Sequence, residues 1–203
     1  MAAIIDFTLT SRFFPFLSFG DGKGLVLREY YGPGPVRHFS RSEIPEIAFL
    51  ETPHKALPEF LCIDAKLAVS YEVQALIEEL EPGQHQFFAV NIQRERGSKP
   101  IFCRDGSPLQ TPYYMLIPGI RLDAVWIEKS EVEISKITPE LSFIWPKVGK
   151  ETQIVLRRSV IKNHHVWAGK LQLGRSTFFS DTLVQAVLDR KWKGLRFTHL
   201  QEQ

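Results

Sequence analysis

One segment of the chain repeats apolar residues at the spacing of a helix face. These residues follow one another at i, i+3, i+4 and i+7, and they are Val73, Leu76, Ile77 and Leu80. Ser70 stands before them as an N-cap, where its hydroxyl is expected to accept a hydrogen bond from a helix N–H. The pattern predicts a helix over about 71–81, which Pro82 and Gly83 end, and then a strand over 86–92.

A second segment near the end of the sequence has the same design. Its apolar face consists of Leu183, Val184, Val187 and Leu188. Ser180 is the expected cap, and Asp181 suits the positive end of the helix dipole. Three cations stand at the end where the dipole favours positive charge, namely Arg190, Lys191 and Lys193. We expect a helix over about 181–192, a left-handed Gly194 after it, and a strand over 195–200.

Apolar runs of strand length fill much of the remaining chain. The runs are 113–117, 122–127, 132–135, 141–145 and 153–156. Two β-type runs around a Gly-rich turn within 16–31 predict a hairpin, whereas residues 37–59, punctuated by prolines, are expected to be mostly loop. The sequence therefore predicts an α+β fold with mixed or antiparallel sheets and two short amphipathic helices. We expect one domain over 1–203, with a β-rich N-terminal part at 1–60.

The composition is that of a folded protein that does not depend on a cofactor. The 203 residues are 44% hydrophobic and 24% charged, and a chain of this length forms a core without a disulfide or a metal. Cys62 and Cys103 each stand in an apolar run, so we expect two reduced core thiols. No secretory signal is visible, and no apolar run approaches the ~20 residues that span a bilayer. We expect a cytoplasmic protein that binds no membrane.

The net charge of +2 is distributed unevenly along the chain. Residues 147–196 contain eleven Lys or Arg against three acids, a balance of +8, whereas residues 1–146 contain fourteen against nineteen, a balance of −5. Either the two parts neutralise each other in the fold, or one charged face steers a partner of opposite charge. The basic part lacks a phosphate loop, a zinc-finger spacing and an RNP-like motif, so we do not expect nucleic-acid binding.

A search for catalytic chemistry finds no motif. The histidines are His38, His54, His85, His164, His165 and His199. None belongs to an HExxH or HxE pattern, and CxxC and G-x-S-x-G are also missing, so we predict no metal site and no catalytic residue. His164 and His165 would point to opposite faces of a strand, which disfavours a shared ion. Catalytic groups are nevertheless assembled in space rather than in sequence, so the possibility of an enzyme stays open.

Three segments carry a pattern that is recognisable when they are taken in order. They are 69–92 (apolar-Ser, helix, Pro-Gly, then Gln-Phe-Phe-x-Val-x-Ile), 122–130 (Leu-Asp-Ala-Val-Trp-Ile-Glu-Lys-Ser) and 165–197 (His-Val-Trp, Phe-Phe-Ser, then Lys-Gly-Leu-Arg-Phe). Over about 67–200 the chain resembles bacterial polymorphic-toxin immunity proteins of immunity family 11. It departs from that pattern at Ala89, where the family version has proline, and at Trp126, where the family often has aspartate.

The resemblance implies a non-enzymatic antidote encoded beside a secreted toxin, such as a type VI secretion effector. Such an antidote would bind the toxin and cover its active site. An acidic patch suits the basic cleft of a toxin that acts on nucleic acid, because carboxylates imitate phosphates. We therefore expect the toxin-binding surface on the first helix, at Glu72, Glu78, Glu79 and Glu81. The basic part would replace it for an acidic toxin. The alternatives are a small enzyme built around His164, His165 or His199, and an adaptor or chaperone for the toxin.

Overall fold

The computed structural model describes residues 2–7, 15–20, 37–95, 99–136, 142–146, 153–169 and 177–203. Its helices are α1 (Tyr71–Leu80), α2 (Arg158–Ile161) and α3 (Asp181–Asp189), and short 3-10 turns lie at Arg41–Glu43 and Ile127–Lys129. Its strands are β1 (Ala3–Phe7), β2 (Leu17–Ser18), β3 (Ile47–Leu50), β4 (Ala56–Leu57), β5 (Phe60–Ile63), β6 (Lys66–Val69), β7 (Gln86–Arg94), β8 (Phe102–Cys103), β9 (Tyr113–Ile117), β10 (Arg121–Leu122), β11 (Val132–Lys136), β12 (Ser142–Pro146), β13 (Val155–Leu156), β14 (Val166–Gly169), β15 (Thr177–Phe179), β16 (Leu195–His199) and β17 (Gln201–Glu202). The predicted α+β class is confirmed.

Six strands close into a barrel in the order β2-β3-β7-β9-β6-β5. The β3–β7 and β2–β5 pairs are parallel, and the other pairs are antiparallel. Along β9, Tyr113, Met115 and Ile117 belong to the core inside the barrel, whereas Tyr114 and Leu116 pack in the next core outside it. This alternation follows from the two-residue period of a strand.

A five-stranded sheet in the order β10-β14-β15-β1-β16 lies beside the barrel. Ala3 and Ile5 of β1 face the core that is shared with the barrel, and Ala2 and Ile4 belong to a third core on the other face. The shared core takes its buried helix residues from both α1 and α3: Val73, Leu76, Ile77, Leu183, Val184 and Val187. The two predicted amphipathic helices therefore bury most of their apolar faces in one common cluster; Leu188, which was predicted to belong to the buried face of α3, is instead 50% exposed.

The two helical units have the same topology. In the first unit, β6, α1 and β7 form a β-α-β crossover with β9 inserted between the two strands, and β5 flanks β6. In the second unit, β15, α3 and β16 form the same crossover around β1, and β14 flanks β15. The inserted strand is antiparallel to both neighbours in each unit. The chain thus contains two split β-α-β units of equal strand order.

Hydrogen bonds from backbone N–H groups, two of them to side-chain carboxylates, join each unit to the helix end of the other. The carboxylate of Glu81, just after α1, accepts from the N–H of Val166 in β14 at 2.8 Å. The carbonyl of Lys193, after α3, accepts from the N–H of Phe60 in β5 at 3.1 Å. The N–H of Lys193 donates to the Glu59 carboxylate at 2.7 Å. The contacts are reciprocal, so each helix end is held in place by the first strand of the opposite unit.

Most of the predicted strands are present, with small shifts at their ends. The predicted runs 86–92, 113–117, 132–135, 141–145, 153–156 and 195–200 correspond to β7, β9, β11, β12, β13 and β16. The strand predicted over 122–127 is wrong. Beyond β10 the chain makes one isolated bridge at Val125 and then the 3-10 turn. The Ser130 hydroxyl donates to the Trp126 carbonyl at 2.7 Å, which favours a turn over an extended strand.

The expectation for residues 37–59 is also wrong in part. Residues Ile47–Leu50 form β3, and Ala48 and Leu50 are buried inside the barrel. Pro45 and Pro53 lie outside the strand, so they flank it without interrupting its ladder. The hairpin predicted within 16–31 lies largely outside the described residues; its first run contributes β2, which pairs with β3 and β5.

The helix ends differ from the sequence prediction in three respects. The Ser70 hydroxyl donates to the Glu72 carboxylate at 2.7 Å and makes no capping bond, whereas Ser180 accepts from the Leu183 N–H as expected. Helix α3 ends at Asp189, because Lys191 takes the left-handed conformation with φ +57°. Gly194 has φ +111° and passes close to the Phe60 carbonyl, so its role is close packing after the turn. None of the helices in the described ranges is long and apolar enough to cross a membrane.

Candidate functional site

Helix α1 presents a face that combines aromatic and acidic side chains. Its buried residues occupy one stripe, so Tyr71, Glu72, Ala75 and Glu79 point outward and are exposed, and Glu78 is partly exposed. The helix contains no lysine, arginine or histidine. We call Tyr71, Glu72, Glu78 and Glu79 the acidic face of α1. It holds three of the four glutamates that the sequence predicted to lie together.

The carboxylates of the acidic face have no ion pair with any described residue. Glu72 accepts the Ser70 hydroxyl at 2.7 Å, and Glu78 accepts the Gly83 N–H at 3.2 Å. These neutral donors hold the two side chains close to the helix without cancelling their charge. The face therefore keeps its negative charge available for an external cation.

An aromatic pair lies at the start of the same helix. Tyr71 is 52% exposed, and its ring centroid lies 6.5 Å from that of Tyr114 on β9, at an angle of 48°. Large aromatic side chains of this kind are the anchors that protein interfaces favour. Tyr113 and Tyr114 are adjacent in the sequence, and the structure places them in different environments. Tyr113 is buried with its hydroxyl on the Pro58 carbonyl, whereas Tyr114 is partly exposed.

Glu81 does not belong to the acidic face, which corrects the sequence prediction. Its side chain is 5% exposed, because the chain leaves the helix at this residue and turns the carboxylate into the protein. The carboxylate accepts from His85 Nε2 at 2.9 Å and from the Val166 N–H at 2.8 Å. His164 Nδ1 lies 3.3 Å from its other oxygen. Helical periodicity could not reveal this, since Glu81 is the first residue beyond the helix.

The hydrogen bonds around Glu81 favour its ionised form and indicate which ring nitrogen of His85 donates to it. Burial alone would raise the pKa of Glu81, but bonds from the His85 side chain and from the backbone of His165 and Val166 bring it below its usual range. The Gly119 N–H donates to His85 Nδ1 at 3.2 Å, so that nitrogen carries no proton and Nε2 carries one. The lowered pKa keeps the Glu81 carboxylate ionised near neutral pH, where these donors hold it in place.

This arrangement does not fit a metal ion. The Nε2 atom of His85 would be the ligand closest to Glu81, but its proton is already donated to the carboxylate. Throughout the described ranges, no group of three or more His, Cys, Asp and Glu residues is placed to hold a metal. The Glu81–His85–His164 cluster is therefore a structural junction. It links the end of α1 to β14 through Val166, and to the turn before β10 through Gly119.

The other two histidines named as possible catalytic groups have separate partners. His165 Nδ1 lies 2.8 Å from the Ser180 hydroxyl, and His199 Nδ1 lies 3.9 Å from an oxygen of Asp181. Ser180 already caps α3, so its contact with His165 has a structural explanation. His164 and His165 contact different groups, but both precede β14, so the strand alternation that was expected for them does not apply.

Two concave sites of the described structure lie away from these histidines. A cleft of about 900 Å³ contains Arg94, whose guanidinium donates to the carbonyls of Thr52, His54, Lys99 and Pro100. An apolar pocket of about 280 Å³ contains Phe16 and Cys62. Neither is lined by His164, His165 or His199. The Arg94 donors are already satisfied by carbonyls, so the larger cleft offers no free guanidinium to a ligand.

The two cysteines are unpaired and half-buried, so they are less enclosed than the sequence predicted. Burial raises the pKa of the Cys62 thiol to about 11. The thiol is consequently protonated near neutral pH and is a poor nucleophile.

Comparison with known proteins identifies one family. The model described as "Immunity protein family (Imm11)" matches residues 23–202. The match begins well before residue 67, where the resemblance seen in the sequence motifs starts. No curated protein matches the chain significantly.

Proposed function

The chain belongs to the Imm11 immunity protein family, and from this we propose that it binds a cognate toxin protein and neutralises it by covering the toxin's active site. The action is that of a binding protein without an enzymatic step, and it takes place in the cytoplasm of the bacterium that makes the toxin. The family match over 23–202 is the observation that carries the proposal.

We place the toxin-binding surface on the acidic face of α1. Among the described residues no cation pairs with Glu72, Glu78 or Glu79, and the exposed Tyr71 lies beside them as an aromatic anchor. A toxin that acts on nucleic acid has a basic cleft, and carboxylates on a rigid helix can occupy the positions of phosphates. Charge complementarity of this kind speeds association and excludes wrong partners.

The acidic face alone is too small for a stable complex. A helix of ten residues is about 15 Å long, and a stable interface covers about 800 Å² on each partner. The contact must therefore continue onto neighbouring elements, and Tyr114 of β9 is the nearest candidate. Glu81 is left out of this surface because it is buried.

The test uses the toxin domain encoded beside this chain's gene, with an inactivating substitution. The double variant Glu72→Lys, Glu79→Lys should weaken binding by at least about tenfold at low salt in calorimetric titration, since both substitutions put like charges opposite a basic cleft. Glu128→Lys with Glu133→Lys is the matched control. It makes the same charge change at exposed positions outside α1 and should stay within about twofold.

Two results would overturn parts of the proposal. Failure of the unmodified protein to bind this toxin would refute the immunity function for this pair. Equal toxin affinity of the α1 variant and its control would show that the toxin does not contact the acidic face. Active-site coverage is tested separately with active toxin, where the unmodified protein should inhibit competitively with the toxin's substrate; inhibition independent of substrate concentration contradicts it.

A further inference from the structure

The loop after α3 has a backbone that several separate contacts hold in place. We call residues 190–193 the cationic loop. The Lys191 carbonyl accepts from the Arg104 guanidinium, and Lys193 bonds through its N–H to Glu59 and through its carbonyl to the Phe60 N–H. These bonds anchor the backbone of the loop, in which Lys191 is left-handed with φ +57°.

These bonds use the backbone of the loop and leave its cationic side chains outside. Arg190, Lys191 and Lys193 are all exposed, and neither lysine ammonium has an ion pair with a described residue. The Arg190 guanidinium lies 5.4 Å from the centroid of the half-buried Trp192 ring. One nitrogen of this guanidinium donates to the Ala186 carbonyl at 3.2 Å, and the Arg190 side chain is otherwise exposed.

An exposed apolar residue adjoins this charged group. Leu188, in the last turn of α3, is 50% exposed, although it was predicted to belong to the buried face of the helix. Its neighbours Val184 and Val187 are buried in the shared core. Within five consecutive residues the chain therefore has an exposed leucine and an arginine over a tryptophan ring, residue types that protein interfaces combine.

We propose that the cationic loop, together with Leu188, is a second docking surface that binds a carboxylate-rich surface of the same toxin protein. The proposal rests on the proposed function, and it makes toxin binding bipartite: the acidic face of α1 meets a basic cleft, and the cationic loop meets an acidic rim. The opposite charges of the two surfaces then fix the orientation of the toxin.

Two other polyanions fit these observations less well. Proteins that hold DNA through its backbone commonly make about 6–10 phosphate contacts, and three cations supply fewer. A bilayer surface contributes about 1 kcal/mol for each basic residue and needs an apolar face to insert. The apolar face of α3 is already buried, which leaves Leu188 alone for that purpose.

The experiment compares Lys191→Glu, Lys193→Glu with Lys55→Glu, Lys162→Glu, in binding to the inactivated toxin domain encoded beside the gene. The control pair changes the charge equally at exposed lysines, and Lys162, with φ +51°, matches the left-handed backbone of Lys191. We expect the loop variant to bind about tenfold more weakly at low salt, with a smaller difference at high salt, and the control to remain near the unmodified protein.

A milder pair, Lys191→Gln with Lys193→Gln, removes the charges without reversing them and should give an intermediate loss. Unchanged toxin affinity in both loop variants, while the unmodified protein binds, overturns this inference and leaves the proposed function standing. Absence of binding by the unmodified protein overturns both. A 20-base-pair DNA duplex and vesicles of phosphatidylserine and phosphatidylcholine are assayed in parallel. If the loop substitutions weaken binding to the DNA or to the vesicles but leave toxin affinity unchanged, the proposed docking of the toxin on the cationic loop is also overturned.

Discussion

The carboxylate of Glu81 accepts a hydrogen bond of 2.8 Å from the backbone N–H of Val166, which lies 85 positions further along the chain. The same oxygen accepts from His85 Nε2, so one buried group joins the end of α1 to the first strand of the second unit. In the sequence Glu81 resembles the exposed glutamates of α1, but in the structure it links the two β-α-β units.

Glu81→Ala should destabilise the protein by about 2–4 kcal/mol. The substitution leaves the Val166 N–H and the His85 Nε2–H buried without an acceptor, and each orphaned donor costs about 1–3 kcal/mol. Urea denaturation measures the free energy of unfolding. Glu79→Ala is the matched control, because Glu79 is exposed on the same helix and should change stability by no more than about 0.5 kcal/mol. Equal effects of the two variants would show that the buried bonds contribute little.

The stabilisation by Glu81 should disappear in acid. Its pKa is lowered in the folded protein, so its contribution is complete above the unfolded value of about 4.3 and is lost as the pH falls through the folded value. The measurement is the difference in unfolding free energy between the unmodified protein and Glu81→Gln. Other carboxylates titrate in both proteins and largely cancel. The difference should be constant from pH 7 to about pH 5 and shrink below pH 4; growth of the difference in acid contradicts the assignment.

The junction between the second helix end and the barrel depends on a glycine. A Cβ at Gly194 would lie 2.1 Å from the Phe60 carbonyl oxygen, and its φ of +111° disfavours any side chain. We expect Gly194→Ala to cost about 3 kcal/mol or more, since backbone must move on both sides. Gly106→Ala is the control: its φ is +88°, but nothing lies within 4 Å of its Cβ position. It should cost about 1 kcal/mol through φ alone. Similar losses at both sites in thermal unfolding would exclude the steric contact.

The sequence was informative where a local rule decides the structure. The stripe of Val73, Leu76 and Ile77 is buried as its helical spacing predicted, and β9 matches the predicted strand at 113–117 because five consecutive apolar residues leave little choice. The sequence did not predict β3. The four residues of this strand pair with β2 and with β7, and β7 lies more than forty positions further along the chain. A short apolar run between two prolines does not distinguish a loop from a barrel strand.

The candidate site was predictable only in its local part. Glu72 and Glu79 are exposed because they oppose the apolar stripe of α1, and the helix period alone places them. Glu81 shares their chemistry, but its position is decided by the Val166 N–H and by His85. A buried carboxylate with distant partners leaves no periodic signal. The similar order of the two units was visible as a repeated Ser-cap and helix, but the matching insertion of β9 and β1 required the sheet pairing.

Tyr71 should contribute to toxin binding without contributing much to folding. Its ring is 52% exposed and lies tilted against that of Tyr114, so Tyr71→Ala removes little buried area from the protein itself. If the acidic face of α1 docks on the toxin, this ring becomes enclosed between two surfaces, and truncating such an anchor commonly costs about 2 kcal/mol or more. We therefore expect at least about tenfold weaker toxin binding in calorimetric titration and a free energy of unfolding within about 1 kcal/mol of the unmodified protein.

Phe16→Ala, at a residue that is 57% exposed on the barrel, is the matched control and should leave toxin binding unchanged. If Phe16→Ala weakened binding more than Tyr71→Ala did, the docking surface would lie on the barrel side, away from α1.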